Sequence, residues 1–404
     1  MGIPSVAAIG RRLLDNLVRP CSITPVVAEP KRTVFLSAAE ASADAHCARL
    51  IPQLRAAIPQ VRCIGLGGDA MARAGCHLLE NLSDRSAMLA HALAQVVFYF
   101  RLLRRLKRFL REEHPDLVIV ADSPAWNFHV AQAARRLGIP VLYYIAPQLW
   151  AWGDWRVKKL RRCADRLACI LPFEEEWFTQ RGIPATYVGH PLFDTEQRIE
   201  PVNPLGPVSD SFPTVALLPG SRNHEIGHLW PVLQRLAHAV RDEYPRARFL
   251  TAAHSDAVAA RLRVQADPTL PIDIRCTSIE ACTRHADLAL VASGTATLEV
   301  AAQNCPMIIL YHVPAWQWHL VGRWLVKTKF LSLVNILAGR ELVPEFMPLP
   351  RRLDPVIDVA LALLADDKRR QALRLALRQL VEPLTQPGTA RRVAQIAQEM
   401  LPLY

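Results

Sequence analysis

TVALLPGSRNHEIGHL, residues 214–229, decides the fold. An apolar run ends at Pro219, Gly220 and Ser221 make a tight turn, and a helix begins behind them. A short apolar strand feeding a helix through a glycine turn is half of a parallel βαβ unit. The order recurs downstream. ARFLTAA (247–253), ADLALVAS (286–293) and PMIILYH (306–312) read as strands, with helices expected from about Glu225 to Tyr244 and through 295–303. It recurs upstream in TVFLSA (33–38), VRCIGLGG (61–68), DLVIVAD (116–122), VLYYIA (141–146) and LACIL (167–171), with a helix from about Asp44 to Ala57.

Between the two series, residues 194–213 hold Pro201, Pro204, Pro207, Pro213 and Gly206 with little periodicity, the mark of a linker. The expected architecture is α/β, with two doubly wound parallel-sheet domains. An N-terminal extension covers 1–32, the first domain 33–195, a linker 196–213, the second domain 214–365 and a helical tail 366–404. Such a pair takes its ligand in the cleft between domains, at the C-terminal ends of the strands.

Of the 404 residues, 51% are hydrophobic and 21% charged, which excludes a disordered chain. Lys and Arg total 48 against 37 Asp and Glu, a net charge of +11 that favours anionic partners. Nine cysteines without CxxC spacing exclude a disulfide framework or zinc ribbon, and Cys63, Cys169 and Cys305 read as core thiols. Arg11 and Arg12 precede no apolar run, so a secretory leader is not expected. The longest apolar stretch, 87–100, contains His91 and Gln95 and falls short of the roughly 20 residues of a membrane span. Signatures of nucleic-acid-binding folds are absent, and no nucleic acid is expected as partner.

Five segments carry candidate chemistry. In 217–229, free backbone N–H groups at the helix start make an anion site, and Arg222 adds a guanidinium fork for phosphate oxygens. The plain alternative is an ordinary βα turn with a surface arginine. VASGTATLEVAAQNCP (291–306) repeats the design through Ser293, Gly294 and Thr295, and Glu299 sits where a carboxylate can accept ribose hydroxyls. Its alternative is a well-capped helix with an acid that suits the dipole. Two such turns in one domain favour a nucleoside diphosphate. In VIVADSPAWN (118–127), Asp122 ends a buried strand as a candidate general base for a hydroxyl, or as a cap for the turn at Pro124. SAAEASAD (37–44) offers Glu40 and Ser42 to a substrate, with Asp44 read as a helix cap. VVFYFRLLRRLKRFLR (96–111) sets Phe98, Leu102, Leu106, Phe109 and Leu110 against Arg101, Arg104, Arg105, Lys107, Arg108 and Arg111. That pattern fits an interfacial helix on anionic lipid, or a peripheral helix with a core stripe and solvated arginines.

AEASAD (39–44), YYIAPQLWAWGDWRVKK (143–159), LPFEEEWF (171–178), VGHPL (188–192), LLPGSR (217–222), LVASGTATLE (290–299) and LAGRELVPEF (337–346) follow one another in an order that resembles the lipid-A-disaccharide synthases. The resemblance implies a GT-B fold. It implies inverting transfer of 2,3-diacylglucosamine from UDP-2,3-diacylglucosamine to the 6-hydroxyl of 2,3-diacylglucosamine 1-phosphate, giving a β-1,6 disaccharide and UDP. Asp122 would be the base. Gly220, Ser221, Arg222, Ser293, Gly294, Thr295, Glu299, Asn335 and Glu341 would hold UDP, and Glu40 and Ser42 the acceptor. Phe98, Arg101, Arg104, Arg105 and Arg108 would meet an anionic membrane surface at the cytoplasmic face. No metal or cofactor is implied, because arginine and helix termini can balance the leaving charge. A homodimer stays open. So do two other readings: another UDP-sugar transferase or epimerase of GT-B fold, and a non-catalytic UDP-sugar- or lipid-binding paralogue. The chain departs from the family at Ala39 and Ala43, where glycine is usual, and at Ala125, where a second aspartate is usual. If the backbone at 39 or 43 needs positive φ, alanine is strained there.

Overall fold

The computed structural model describes residues 32–82, 92–151, 153–194, 212–221, 223–311 and 329–401, with backbone alone for 92–96 and 223. The expected extension before Arg32, nearly all of the linker, Trp152 and Arg222 lie outside the described residues.

The first sheet has seven parallel strands: β1 (Arg32–Ala38), β2 (Val61–Gly67), β3 (His77–Asn81), β4 (Leu117–Ala121), β5 (Val141–Tyr144), β6 (Arg166–Cys169) and β7 (Ala185–Tyr187). They lie in the order β3-β2-β1-β4-β5-β6-β7. Helices α1 (Ala41–Ala57), α2 (Asp69–Arg73), α3 (Ala92–Glu113), α4 (Pro124–Arg135), α5 (Val157–Cys163) and α6 (Pro172–Thr179) connect them. The second sheet holds β8 (Thr214–Leu218), β9 (Arg248–Ala253), β10 (Ile272–Cys276), β11 (Leu288–Ala292), β12 (Met307–Leu310) and β13 (Glu345–Phe346), in the order β10-β9-β8-β11-β12-β13. Its helices are α7 (Asn223–Glu243), α8 (Asp256–Val264), α9 (Ile279–Thr283), α10 (Ala296–Ala302) and α11 (Leu333–Ala338), followed by α12 (Asp354–Ala365), α13 (Asp367–Val381) and α14 (Thr389–Met400).

Both sheets are buried on both faces, which is why their central strands read as unbroken apolar runs. Along β1, Phe35 packs with Leu106 and Leu110 of α3, Phe128 of α4 and Leu160 of α5. Val34 and Leu36 point the other way, toward Leu50 and Leu54 of α1 and Val393 and Ile396 of α14. In the second sheet, Val215 and Leu217 meet Trp230 of α7 and Val356 of α12, while Ala216 and Leu218 meet Leu298 of α10, Val334 of α11 and Leu377 of α13. The segment expected as one helical tail therefore divides. Helix α13 covers the second sheet, whereas α14 returns to the first domain. The carboxylate of Asp194 fixes that return by accepting the backbone N–H groups of Gly388, Thr389 and Ala390 at 2.6, 2.8 and 2.8 Å. An anion at a helix N-terminus satisfies donors that have no partner within the helix.

Three expectations change. Asp44 does not cap its own helix: α1 starts at Ala41, and the Asp44 carboxylate reaches across to the N–H groups of Gly68, Ala70 and Met71, so it caps α2. Ala39 and Ala43 are not among the residues with positive φ, and Ala43 lies inside α1, so neither alanine is strained. The apolar stripe of α3 is core: Leu102, Leu106 and Leu110 are buried, and Phe109 sits 5.6 Å from Phe35. Phe98, expected at a membrane, is half-buried against the same core beside Tyr99. The outward apolar side chains described on this helix are Val97 and Phe100.

Candidate active site

Strand order reverses twice, between β1 and β4 and between β8 and β11. At such points the loops leave in opposite directions and open a crevice at the strand C-termini. Glu40, Ser42 and Asp122 follow the strands at the first reversal, and Gly220, Ser221, Ser293, Gly294, Thr295 and Glu299 follow those at the second.

At the first crevice, Glu40 is the exposed N-cap residue of α1 and Ser42 is exposed in its first turn. Asp122 follows β4 directly and is half-buried. The N-cap position of α4 falls on Ser123, whose side chain makes no capping bond. Asp122 and Ser123 both have left-handed backbones, with φ of 50° and 43°, and Ile145, after the adjacent strand β5, has φ of 60°. Non-glycine residues rarely sit there, and a β-branched one least of all. Gln60, His114 and Asn304 are also left-handed, but each stands in a turn that leads into the start of a strand. The strained residues at strand exits all face the crevice side.

At the second crevice, Gly220 has φ of 97°, and a Cβ there would lie 2.5 Å from Glu225 Oε2 and 3.4 Å from the Ala292 Cβ. The turn after β8 is thus pressed against the end of β11, and only glycine fits. Ser221 is exposed beyond it, and α7 begins at Asn223, where the first N–H groups of a helix have no partner within it. On the neighbouring strand, Ser293 donates its N–H to Leu310 O, Gly294 faces open space, and Thr295 is exposed. Thr297 ties the turn down by donating its hydroxyl to Gly294 O at 2.8 Å. Glu299 lies in α10, where burial raises its carboxyl pKa.

Asn335 and Glu341 behave differently. Asn335 is fully buried, and its side chain is committed. Its Nδ2 donates to Val343 O and Glu345, both at 2.9 Å, and its Oδ1 accepts from Leu342 and Val343 N–H at 2.8 and 3.0 Å. Glu345 also accepts from Leu331 N–H and the Ser332 hydroxyl. Asn335 therefore shapes the strand that follows Glu341, which is itself exposed.

The two domains meet through the loop after β5. Trp150, Ala151 and Leu171 form an apolar cluster with Leu333, Ile336 and Leu337 of α11, the helix packed against α10. Trp150 stacks edge-on to Phe173 at 4.9 Å and donates its indole N–H to Glu174 at 3.0 Å. Glu174 also accepts the N–H groups of Ile170 and Leu171. Burial lifts its carboxyl to about 7 against the pull of these bonds.

Sequence reasoning passed over Asn127, Tyr143, Glu174 and Glu345. All four lie inside the quoted stretches, and for Asn127 and Glu174 the available signal was a polar residue at a core-facing helical position. Among the described residues, no group of three His, Cys, Asp or Glu side chains is placed to hold a metal ion.

A model of the lipid-A-disaccharide synthetase family matches residues 34–400. A lipid-A-disaccharide synthase from Anaeromyxobacter dehalogenans is 36% identical over 377 residues, covering 90% of this chain and 96% of that protein. One from Nitrosococcus oceani is 34% identical over 385 residues, covering 91% and 96%. Among solved structures, Staphylococcus aureus MnaA with UDP superposes with a TM-score of 0.61 at 12% identity, over 92% of this chain and 97% of that one. Neisseria meningitidis UDP-GlcNAc 2-epimerase bound to UDP-GlcNAc gives 0.61 at 11%, over 91% and 99%. At such identities the structural likeness establishes the two-domain GT-B fold alone, whereas the match along nearly the whole sequence establishes descent: the chain belongs to the lipid-A-disaccharide synthase family.

Proposed function

We propose that the protein transfers 2,3-diacylglucosamine from UDP-2,3-diacylglucosamine to 2,3-diacylglucosamine 1-phosphate. The observation that carries this is the placement of Asp122 at one strand-order reversal and of the Gly220 and Ser293–Thr295 turns at the other, in domains joined at the strand-exit side by Trp150 and α11. Asp122 takes the proton of the acceptor 6-hydroxyl as that oxygen attacks the anomeric carbon. The carbon–oxygen bond to UDP breaks on the opposite face, so the configuration inverts. Charge growing on the diphosphate is met by the N–H groups at the start of α7, by the Gly220–Ser221 turn and by Arg222. Ser293, Gly294, Thr295 and Glu299 hold the nucleoside, with Asn335 and Glu341 shaping the adjoining loop. Glu40 and Ser42 line the acceptor side.

The acceptor is a lipid, and the first domain carries a face suited to its membrane. Residues 101–111 contain six basic residues and no acid, and 156–166 contain six against Asp165. Helices α3, α4 and α5 form one layer on the sheet, so both segments lie on the same outer side. Phe100 is 54% exposed beneath Arg104, and Trp155 is 74% exposed beneath Arg156. Cations beside exposed aromatics suit an anionic bilayer surface. Among the described residues no helix is long and apolar enough to cross a membrane. We place the protein as a peripheral enzyme on the cytoplasmic face of the inner membrane.

The test supplies both lipid substrates and follows disaccharide and UDP. Asp122→Asn should abolish disaccharide formation while UDP still binds. UDP binding by the native protein without turnover would overturn the assignment in favour of a non-catalytic paralogue.

A further inference from the structure

We propose that Asn127, together with Tyr143, is a positioning residue that fixes the Asp122 carboxylate for proton transfer. This rests on the reading of Asp122 as the base.

The Asp122 carbonyl accepts two buried donors, Asn127 Nδ2 at 2.8 Å and the Tyr143 hydroxyl at 2.9 Å. Its N–H donates to Tyr144 O at 3.0 Å. The backbone is thereby held at both polar atoms in a conformation, φ of 50°, that it would leave if released. Asn127 is itself fully buried and braced. Its Oδ1 accepts the Ser37 hydroxyl at 2.8 Å, its Nδ2 donates also to Ala121 O at 2.8 Å, and Trp126 Nε1 donates to the Ser37 hydroxyl at 3.3 Å. Ser37 lies on β1 and Ala121 on β4, so one amide ties the two strands that flank the first crevice to the residue at its mouth.

Ser123 does not help to hold the turn with its side chain, which makes no capping bond. Ser123, also left-handed, buries a hydroxyl with no hydrogen-bond partner. Two strained residues and an unpaired hydroxyl at a strand exit are a cost that ordinary βα turns avoid. The return is a carboxylate whose direction from the sheet is set by two donors rather than by a mobile loop. The phenol of Tyr143 serves only as a donor here, because burial and the nearby Asp122 raise its pKa well above the usual value.

The experiment measures kcat and both KM values for Asn127→Ala, Tyr143→Phe and Asp122→Asn, with thermal midpoint and UDP affinity as controls. Asn127→Ala should lower kcat by about ten- to a hundred-fold, the cost of a misplaced reacting group, with UDP affinity and both KM values unchanged. Tyr143→Phe should act in the same sense and more weakly, because Asn127 still holds the carbonyl. A folded Asn127→Ala with native kcat overturns the proposal while leaving Asp122→Asn inactive. If Asn127→Ala does not fold, Tyr143→Phe decides: lower kcat at unchanged thermal midpoint and KM supports positioning, and native kcat overturns it. An active Asp122→Asn overturns the reading of the base, and the proposal with it.

Discussion

The Trp150 indole donates to the Glu174 carboxylate across 3.0 Å at the junction of the two domains. Burial holds that carboxyl at about 7, above its ordinary 4.5. The folded protein therefore binds this proton more tightly than the unfolded chain, and the sign follows. Stability from this group is full below about 4.5 and is lost as pH rises to about 7. The loss is on the order of 3 kcal/mol. Glu174→Gln does not titrate, so the difference in thermal midpoint between native protein and variant should shrink from pH 5 to pH 8. A difference that is constant with pH would sink this.

Gly220→Ala should damage the nucleotide turn in two ways. The backbone φ of 97° disfavours any side chain, and the new methyl meets Glu225 and Ala292. Strain of this kind costs about 1–3 kcal/mol. The expected result is a lower thermal midpoint with UDP affinity reduced well beyond what the stability loss explains, read by calorimetry. Native affinity for UDP in a folded variant would remove this turn from the site.

The central strands were legible because burial on both faces leaves only apolar residues, as at Val118–Ala121 and Leu288–Ala292. The four edge strands β3, β7, β10 and β13 were not. HLLEN (77–81) and IDIRC (272–276) are half-exposed and polar, and β13 has only two residues. Asp122 was legible as the first polar residue after an apolar run. Asn127 was not, since a helical asparagine looks the same on a surface as in a core. Asp44 misled for a related reason: local capping rules assume a partner three residues on, and its partners lie 24 to 27 residues away. The stripe of α3 misled because a helix buried on a sheet and one buried in lipid share one periodicity.

Asn335 and Glu341 should separate cleanly. Asn335→Ala leaves the Leu342 and Val343 N–H groups and the Val343 carbonyl without their partner. Buried groups so abandoned cost about 1–3 kcal/mol each, so the variant should lose stability first and donor binding as a consequence. Glu341→Ala, at an exposed position, should leave the thermal midpoint in place and raise only the KM for the UDP-sugar. Equal stability losses in both variants would contradict the roles drawn from their hydrogen bonds.

Reversing Arg104, Arg105 and Arg108 to Glu should release the protein from anionic vesicles. Each basic residue near such a surface contributes about 1 kcal/mol, so removing three lowers partitioning by about a hundred-fold, before the added repulsion. All three are exposed. Arg105 is the exception in one respect, for it pairs with Glu80 at 3.1 Å, and its reversal sets two carboxylates side by side. Surface pairs of this kind are worth at most about 1 kcal/mol, so the fold should survive. Sedimentation with vesicles of anionic lipid at two salt concentrations checks it. The native protein should bind less at high salt and the variant little at either. Because the apolar stripe of α3 faces the core, neutral vesicles should capture neither protein. Strong native binding to neutral vesicles, or undiminished binding by the variant, would show that this cationic face is not the membrane contact.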